Sequence, residues 1–254
     1  MNTQATAIRR YFDAASEAYV HGRAEEFSFI AQKRMALAFL PAHMARVLDI
    51  GCGPAVLADD LLERAEEYCG IDLSPQMIAR ASARMESQAQ RHRCSLSVGD
   101  AEALGFANGA FDAIVALGLL EYLPSYRAAL GEMCRVLRPG GVAVLAVPNR
   151  QSTYRSCRRV IDRARRAVKQ LLGRQARRSE SFHWNPCVPA RLDAELREAG
   201  FEKAAGGYCN FILYPVHDLH AGASLALNRA LSRLAPAAAA PWLGAQYVVA
   251  ARKP

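Results

Sequence analysis

The architecture follows from residues 47–55, which read Val47-Leu48-Asp49-Ile50-Gly51-Cys52-Gly53-Pro54-Ala55. A short aliphatic run ends in two closely spaced glycines, and a helical pattern of apolar residues follows over residues 56–62. This order predicts a strand, a sharp turn and a helix. The glycines at positions 51 and 53 allow the backbone to turn tightly and to approach a bound ligand closely.

The same alternation of strand and helix patterns extends from Arg46 to Pro148. Further strands are predicted over residues 68–71, 95–98, 111–117 and 142–147, with a turn at 137–141. A helix is predicted after Ser74, whose hydroxyl can cap it while Pro75 takes the first helical position. Helical patterns also occupy the N-terminal region and residues 152–172 and 189–199, and a closing strand is predicted at 246–251. The alternation is typical of an α/β fold, a doubly wound sheet covered by helices.

Aspartates stand at the ends of three successive predicted strands, at positions 49, 72 and 100. The carboxyl ends of parallel strands meet at one crevice, so these carboxylates are expected to lie close together. Their charge would repel a diphosphate, and Val56 stands where a dinucleotide fingerprint needs a small residue. S-adenosylmethionine (SAM) carries a sulfonium and an ammonium group, so the charge favours SAM over NAD. Asp72 is placed to accept hydrogen bonds from ribose hydroxyls.

Residues 47–148 resemble a class I SAM-dependent methyltransferase in the order and spacing of five motifs. These are the glycine motif, Ile71-Asp72-Leu73-Ser74-Pro75-Gln76-Met77, Gly99-Asp100-Ala101, Phe111-Asp112-Ala113-Ile114-Val115 and Leu137-Arg138-Pro139-Gly140-Gly141. The resemblance implies a mostly parallel, Rossmann-like sheet of seven strands whose last strand is antiparallel, with helical caps. It also implies SAM as the cofactor. Ala55 departs from the family, which often has a third glycine there.

The resemblance assigns roles to individual residues around the cofactor. Gly51 and Gly53 would lie against the methionine part of SAM, with Asp49 near its amino group and Asp72 holding the ribose. Leu73 and Met77 would flank the adenine, and Asp100 and Ala101 would contact the edge of the adenine. Leu117 would face the cofactor. Residues 11–13 and Tyr19 resemble a lid helix in which an aromatic side chain closes over SAM.

Methyl transfer requires mainly that the protein align the nucleophile, exclude water and, for a hydroxyl acceptor, remove a proton. The candidates for the acceptor side are Glu121 and Tyr122 after the fourth strand, and His183. His183 is either a general base or a residue that shapes the pocket beside Trp184. His217-x-x-His220 has helical spacing but no clear third ligand, so no metal site is predicted.

The acceptor class is narrowed by the residues after the fourth strand. Amino-directed methylases of bases or glutamine resemble one another in an Asn/Asp-Pro-Pro-aromatic motif at this place, where this chain has Gly118-Leu119-Leu120-Glu121-Tyr122. A small-molecule or lipid-like acceptor is therefore favoured, with O- or C-methylation. The alternatives are an RNA methyltransferase and a SAM-binding protein without catalysis.

Positive charge is concentrated in residues 150–178, which contain eleven basic side chains against Asp162 alone. The segment has a net charge of +10, whereas the whole chain of 254 residues has +8. A helical wheel places apolar residues from Tyr154 to Leu172 on one stripe and basic residues on the opposite side. Three interpretations compete: a cap helix packed on the domain with solvated arginines, an interfacial helix on an anionic membrane, and an RNA-binding arm. Nucleic acid is the least favoured partner.

The chain is expected to form a single methyltransferase domain over residues 1–254. Its parts would be an N-terminal helical lid (1–45), a SAM-binding core (46–148), a basic amphipathic insert (150–187), and C-terminal helices with closing strands (188–254). No secretory signal is visible, and residues 234–251, broken by two prolines, make a poor transmembrane segment. Seven cysteines without a C-x-x-C pair favour reduced thiols. A cytoplasmic location, with peripheral contact at the inner membrane face as one interpretation, is therefore expected.

Overall fold

The computed structural model describes residues 3–22, 27–171, 185–212, 221–234 and 238–254. Seven strands of these residues form one sheet in the order β3-β2-β1-β4-β5-β7-β6. The strands are β1 (Met44–Ile50), β2 (Ala65–Asp72), β3 (Cys94–Val98), β4 (Phe111–Leu117), β5 (Leu137–Pro148), β6 (Glu202–Phe211) and β7 (Gly244–Arg252). The predicted seven-stranded, doubly wound sheet is thereby confirmed.

The strand directions also agree with the prediction of a mostly parallel sheet. Strands β1 to β5 run parallel to one another, whereas β7 is antiparallel to its two neighbours, β5 and β6. Asp49 of β1 stands opposite Gly70 of β2 and Val115 of β4. The carboxyl ends of β1, β2, β4 and β5 therefore point to the same edge of the sheet.

Helices cover the two faces of the sheet. They are α1 (Thr3–Gly22), α2 (Phe27–Phe39), α3 (Ala58–Leu62), α4 (Pro75–Glu86), α5 (Arg127–Val136), α6 (Thr153–Leu171), α7 (Pro189–Glu198), α8 (Ala221–Leu234) and α9 (Ala240–Leu243). Helices α2, α3 and α4 contribute to the core on one face, and α5 and α7 to the core on the other. The helix predicted after Ser74 is α4, and Ser74 caps it by accepting from the Met77 amide at 3.1 Å.

The two cores are separated by the alternation of side chains along the central strands. In β4, Ala113 and Val115 lie in one core while Ile114 and Ala116 lie in the other, and all four are buried. Such near-continuous apolar strands are typical of a parallel sheet that is covered on both faces. Burial therefore fixes the register, because a shift of one residue would exchange the two faces.

The segment 137–141, predicted as a turn, belongs to β5 as an irregular stretch. The pairing of β4 with β5 shifts register there, and Gly140 takes a left-handed φ of 77°. A Cβ on Gly141 would lie 2.9 Å from the Asp112 carbonyl oxygen, so a side chain does not fit. The glycines thus permit a bulge that remains hydrogen-bonded to Lys253 through the Gly140 amide and the Gly141 carbonyl.

Candidate active site

A cavity lies at the carboxyl ends of β1, β2 and β4, bounded by the glycine turn and by α1. Its described lining includes four carboxylates (Asp49, Asp72, Asp100 and Glu102) and no basic side chain. The rest of the lining is mostly backbone and apolar side chains. The cavity is therefore suited to a ligand that carries positive charge on a partly apolar body.

The glycine turn forms the floor of this cavity. Gly51 and Gly53 have left-handed φ angles of 73° and 53°, which favour glycine. The Gly51 amide donates to the Ile71 carbonyl at 2.8 Å, which ties the turn to the end of β2. A Cβ built on Gly53 would meet no atom within 4 Å, so this position faces open space. Ala55 also has a positive φ, 56°, which gives a physical reason for a third glycine at that position.

Asp49 is the most deeply buried carboxylate of the site, with 2% of its surface exposed. It accepts a hydrogen bond from the Tyr68 hydroxyl at 2.9 Å. Burial raises the pKa of Asp49 to about 7, and the nearby charge of Asp72 adds to the rise, whereas the Tyr68 hydrogen bond opposes it. A cation bound beside Asp49 would favour the ionised form and return this pKa toward its usual range.

Asp72 ends β2, and its two carboxylate oxygens accept hydrogen bonds from the glycine turn and from the segment that leads into α4. One oxygen accepts from the Gly53 amide and the other from the Ser74 amide, each at 2.9 Å. Burial raises the pKa of Asp72, although these two amides oppose the rise. A carboxylate can accept about four hydrogen bonds, so Asp72 retains capacity for ligand hydroxyls.

The third acidic segment follows β3 and is held by a network from α5. The Asp100 side chain accepts from the Glu102 amide at 2.9 Å. Further along the same loop, Glu132 accepts from the Leu104 amide at 2.7 Å, and Arg135 donates to the Leu104 and Phe106 carbonyls. Burial, followed by the charge of Asp100, raises the pKa of Glu102. The loop that carries Asp100 is thus positioned by side chains outside the cavity.

Helix α1 forms the roof of the cavity. Gln4, Ala5, Ile8 and Phe12 line the cavity from this helix. Gln4 donates to the Tyr122 carbonyl at 2.9 Å, and the rings of Phe12 and Tyr122 meet edge to face with centroids 5.1 Å apart. On the other side, Ser74 donates to the Asp13 carboxylate at 2.5 Å. The roof is therefore anchored both to the segment after β4 and to the cap of α4.

The structure brings together most of the residues that the sequence singled out. Those that line the described cavity are Asp49, Gly51, Gly53, Asp72, Leu73, Met77, Asp100, Ala101, Leu117 and Tyr122. Tyr19 belongs to α1, but its side chain lies outside the described part of the chain, as do His183 and the pair His217 and His220.

Glu121 is the one candidate whose described position turns away from the cavity. It is buried but does not line the described cavity, although its neighbour Tyr122 does. The short 3₁₀ turn Leu120–Tyr122 explains this, because successive residues of such a turn point in different directions. Burial lowers the pKa of Arg155 to about 10, and the charge of Glu121 opposes this. The charge of Glu121 is therefore close enough to α6 to influence Arg155.

Several lining residues were not identified from the sequence. Gln4, Ala5, Ile8 and Phe29 come from helices whose packing on the sheet has no motif. Glu102 follows Asp100 by two residues, so the acidic loop itself was a signal that could have identified it.

These features fit a SAM-binding site of the methyltransferase type. Buried carboxylates with raised pKa values fit the ammonium and sulfonium groups of SAM. The open space at Gly53 leaves room for the ligand close to the backbone, and Asp72 has acceptor capacity for a ribose. A diphosphate does not fit such an acidic environment.

Comparisons with known proteins agree. The family described as "Methyltransferase domain" matches residues 47–141. A phosphatidylethanolamine N-methyltransferase of Cereibacter sphaeroides is 33% identical over 137 residues, which cover 52% of this chain and 67% of that protein. A ubiquinone biosynthesis O-methyltransferase of Xanthomonas oryzae pv. oryzae is 31% identical over 156 residues, covering 61% of this chain and 62% of that protein. The chain thus spans less than two thirds of this second relative.

Among solved structures, a SAM-dependent methyltransferase from Mesorhizobium loti superposes with a TM-score of 0.59 at 18% identity. The match covers 88% of this chain and 98% of that one, and it supports the fold. The chain belongs to the class I SAM-dependent methyltransferases. It is an enzyme that uses SAM as its cofactor.

Proposed function

We propose that this methyltransferase transfers the methyl group to a small-molecule or lipid-like acceptor, with O- or C-methylation favoured. The observation that carries the proposal is the roof formed by α1 over the cavity. Phe12 of this roof, together with Leu119, Tyr122 and Leu123, adds apolar side chains to the lining of the cavity. An acceptor that reacts there has to enter a largely apolar cavity beneath α1, which suits a small or chain-like molecule better than a folded macromolecule.

The cofactor contacts are proposed residue by residue. Asp49 would pair with the ammonium group, and Asp72 would accept from the ribose hydroxyls. The remaining contacts are Gly51 and Gly53 against the methionine part, Leu73, Met77, Asp100 and Ala101 around the adenine, Leu117 facing the cofactor, and Tyr19 closing from the lid. When bound, SAM supplies a methyl carbon activated by its sulfonium for in-line displacement by the acceptor.

On the acceptor side, the protein's contribution is alignment and exclusion of water. Phe12 and Tyr122, which meet edge to face, both line the cavity and add apolar surface to it. Tyr122 is proposed to orient the acceptor, and His183 to remove a proton where the acceptor is a hydroxyl. Glu121 is proposed only in an indirect role, because its negative charge favours the charged form of Arg155.

The names of the relatives support an amphipathic acceptor. One is named for a phospholipid and the other for ubiquinone biosynthesis, and the two names include both N- and O-methylation. RNA methylation is the alternative, since residues 150–178 are strongly basic. The position of the cavity beneath α1 favours the small acceptor, because a nucleotide in a strand would have to be extruded to reach it.

The test is incubation of the protein with methyl-labelled SAM and a cell extract, followed by separation into lipid, small-molecule, RNA and protein fractions. Label is expected in the lipid or small-molecule fraction. Label confined to RNA or protein would refute the proposed acceptor class. Asp72→Ala serves as the negative control and Asp60→Ala, at the partly exposed ion pair with Lys33, as the matched control that should retain transfer.

A further inference from the structure

The basic insert leaves the fold at the edge of the sheet where the cavity opens. Its two ends are joined, because the Arg150 amide donates to the Cys187 carbonyl at 2.9 Å and the Cys187 amide to the Pro148 carbonyl at 3.0 Å. The Asn185 amide also donates to the Glu121 carbonyl at 2.7 Å, next to the cavity residue Tyr122. The insert therefore begins and ends beside the acceptor side of the cavity.

Helix α6, which opens this insert, packs only the beginning of its apolar stripe against the described residues. Among the α6 side chains that the structure describes, Tyr154, at the start of the helix, is the buried one, and Ile161 is half-buried. Beyond Tyr154, Cys157, Val160, Ala164 and Val168 share one side of the helix and are all exposed, Val160 by 65% and Val168 by 53%. We call these four residues the α6 face. Among the described residues, the interpretation in which the apolar side of α6 packs on the domain therefore applies to Tyr154 but not to the α6 face.

Basic side chains border the α6 face. Helix α6 contains seven basic residues against Asp162, and Arg163 and Arg165 are exposed on opposite borders of the face. Helix α9 contacts α6 and carries Trp242, which is 58% exposed. Exposed tryptophan, and arginine beside an apolar stripe, are side chains that favour the interface between water and lipid.

None of the helices in the described part of the chain combines the length and apolar character needed to span a bilayer. Contact of α6 with lipid would therefore be parallel to the surface, as for other amphipathic helices with a charged side.

We propose that the α6 face, with its bordering arginines and Trp242, docks on the surface of an anionic lipid bilayer. The apolar residues insert between the lipids, and the arginines reach the negatively charged headgroups. An RNA partner would use the basic side chains but leave the exposed valines in water, whereas a bilayer accounts for both. This docking surface does not depend on the proposed function. Only the further step, in which a lipid-like acceptor passes from the bilayer to the cavity, rests on the proposed function.

The test is co-sedimentation of the whole chain with phosphatidylcholine vesicles, with and without phosphatidylglycerol, at low and high salt. Binding is expected only with phosphatidylglycerol, and it should weaken with salt. The double variant Val160→Asn with Val168→Asn keeps the charge, and it should bind at least about tenfold more weakly. Val98→Asn is its matched control, since Val98 is 53% exposed on β3 and should bind like the wild type.

The charge is tested separately. Arg163→Gln with Arg165→Gln should weaken binding about fivefold per residue. Arg80→Gln with Arg252→Gln removes the same charge from exposed positions outside the insert and should have a much smaller effect. Lipids with brominated acyl chains should quench Trp242, and Trp242→Phe separates its signal from that of Trp184.

Three results would overturn the proposal. The first is that the wild type does not bind vesicles that contain phosphatidylglycerol. The second is that the valine double variant binds these vesicles as tightly as the wild type does. The third is that the protein binds RNA tightly but not vesicles, and that the valine substitutions do not change its affinity for RNA. All of these readouts measure binding, so they fail or succeed independently of the identity of the methyl acceptor.

Discussion

If Asp49 pairs with SAM as proposed, the affinity for SAM should depend on pH around the pKa of this carboxyl group. Its pKa in the ligand-free site is about 7, because it is buried, and pairing with a cation favours the ionised form. Below that pKa, SAM has to displace a proton before it can bind. Asp49 is about half ionised at pH 7 and about one-eleventh ionised at pH 6, so the affinity should fall about fivefold between them.

The measurement is a titration calorimetry series across this window, repeated with Asp49→Asn. The ammonium group of SAM also titrates, near the usual α-amino range of about 8, so the variant provides the necessary baseline. At neutral pH, Asp49→Asn should bind SAM at least about tenfold more weakly, the loss expected for a charge-assisted hydrogen bond. Its affinity should show no step near pH 7, and proton release on binding should disappear.

The raised pKa of Asp49 should also make the stability of the ligand-free protein depend on pH. Whereas the affinity for SAM should fall as the pH drops, this stability should fall as the pH rises. The pKa of Asp49 is raised from 3.8 in the unfolded chain to about 7 in the fold. The folded state therefore holds its proton more tightly, and the stability from this group is lost as the pH rises through that range. The loss amounts to about 4 kcal/mol at pH values well above 7. Ligand-free Asp49→Asn should then unfold at a higher temperature than the wild type at pH 8. A wild-type affinity that stays flat from pH 8 to pH 6, or a variant less stable than wild type at pH 8, would refute this reasoning.

Three further perturbations test the rest of the site. Gly53→Ala should fold with a penalty of about 1 to 2 kcal/mol for its positive φ and lose SAM affinity, since the added methyl enters open space in the cavity. Gly140→Ala, with a similar φ and equally open surroundings in the β5 bulge, should incur the same penalty in thermal unfolding yet bind SAM normally, and equal binding by both would contradict the site. Asp72→Ala should weaken SAM binding at least about tenfold by calorimetry, and unchanged affinity would remove Asp72 from the ribose contact. Ser74→Ala should lower stability by about 1 kcal/mol through the lost cap of α4 and speed SAM release in stopped-flow measurements, because the bond to Asp13 that anchors the roof is also lost; an unchanged release rate would show that the roof does not depend on it.

The cofactor end of the site could be predicted from sequence because its residues are local to strand ends. Asp49, Asp72 and Asp100 stand at the carboxyl ends of three predicted strands, and parallel strands bring their carboxyl ends together. Glycine at 51 and 53 is likewise required by backbone conformation, which a single sequence can indicate. No side-chain packing had to be known for these assignments.

The roof and the acceptor side depend on packing that no motif encodes. The residues of α1 that line the cavity are set by how the whole helix lies across the sheet. Glu121 and Tyr122 are adjacent in sequence, and only the 3₁₀ turn decides which one faces the cavity. Strand β6 has two glycines in its middle and a mostly exposed first half, so its pattern alone did not identify a strand. The helical wheel described α6 correctly as amphipathic, but it could not say what its apolar side would contact.

The placement of β7 has a consequence for the order in which the chain can assemble during synthesis. Among the described strands, β6 pairs only with β7, and β7 also covers the edge of β5. On the ribosome, β1 to β5 can therefore pair as they emerge, whereas β6 cannot pair until β7 has been synthesised. Until then the edge of β5 is open to other chains, which is a known hazard for aggregation. A chain that ends before Gly244 would keep the edge of β5 exposed. Its strands that border the cavity would be formed, but its sheet would lack β7.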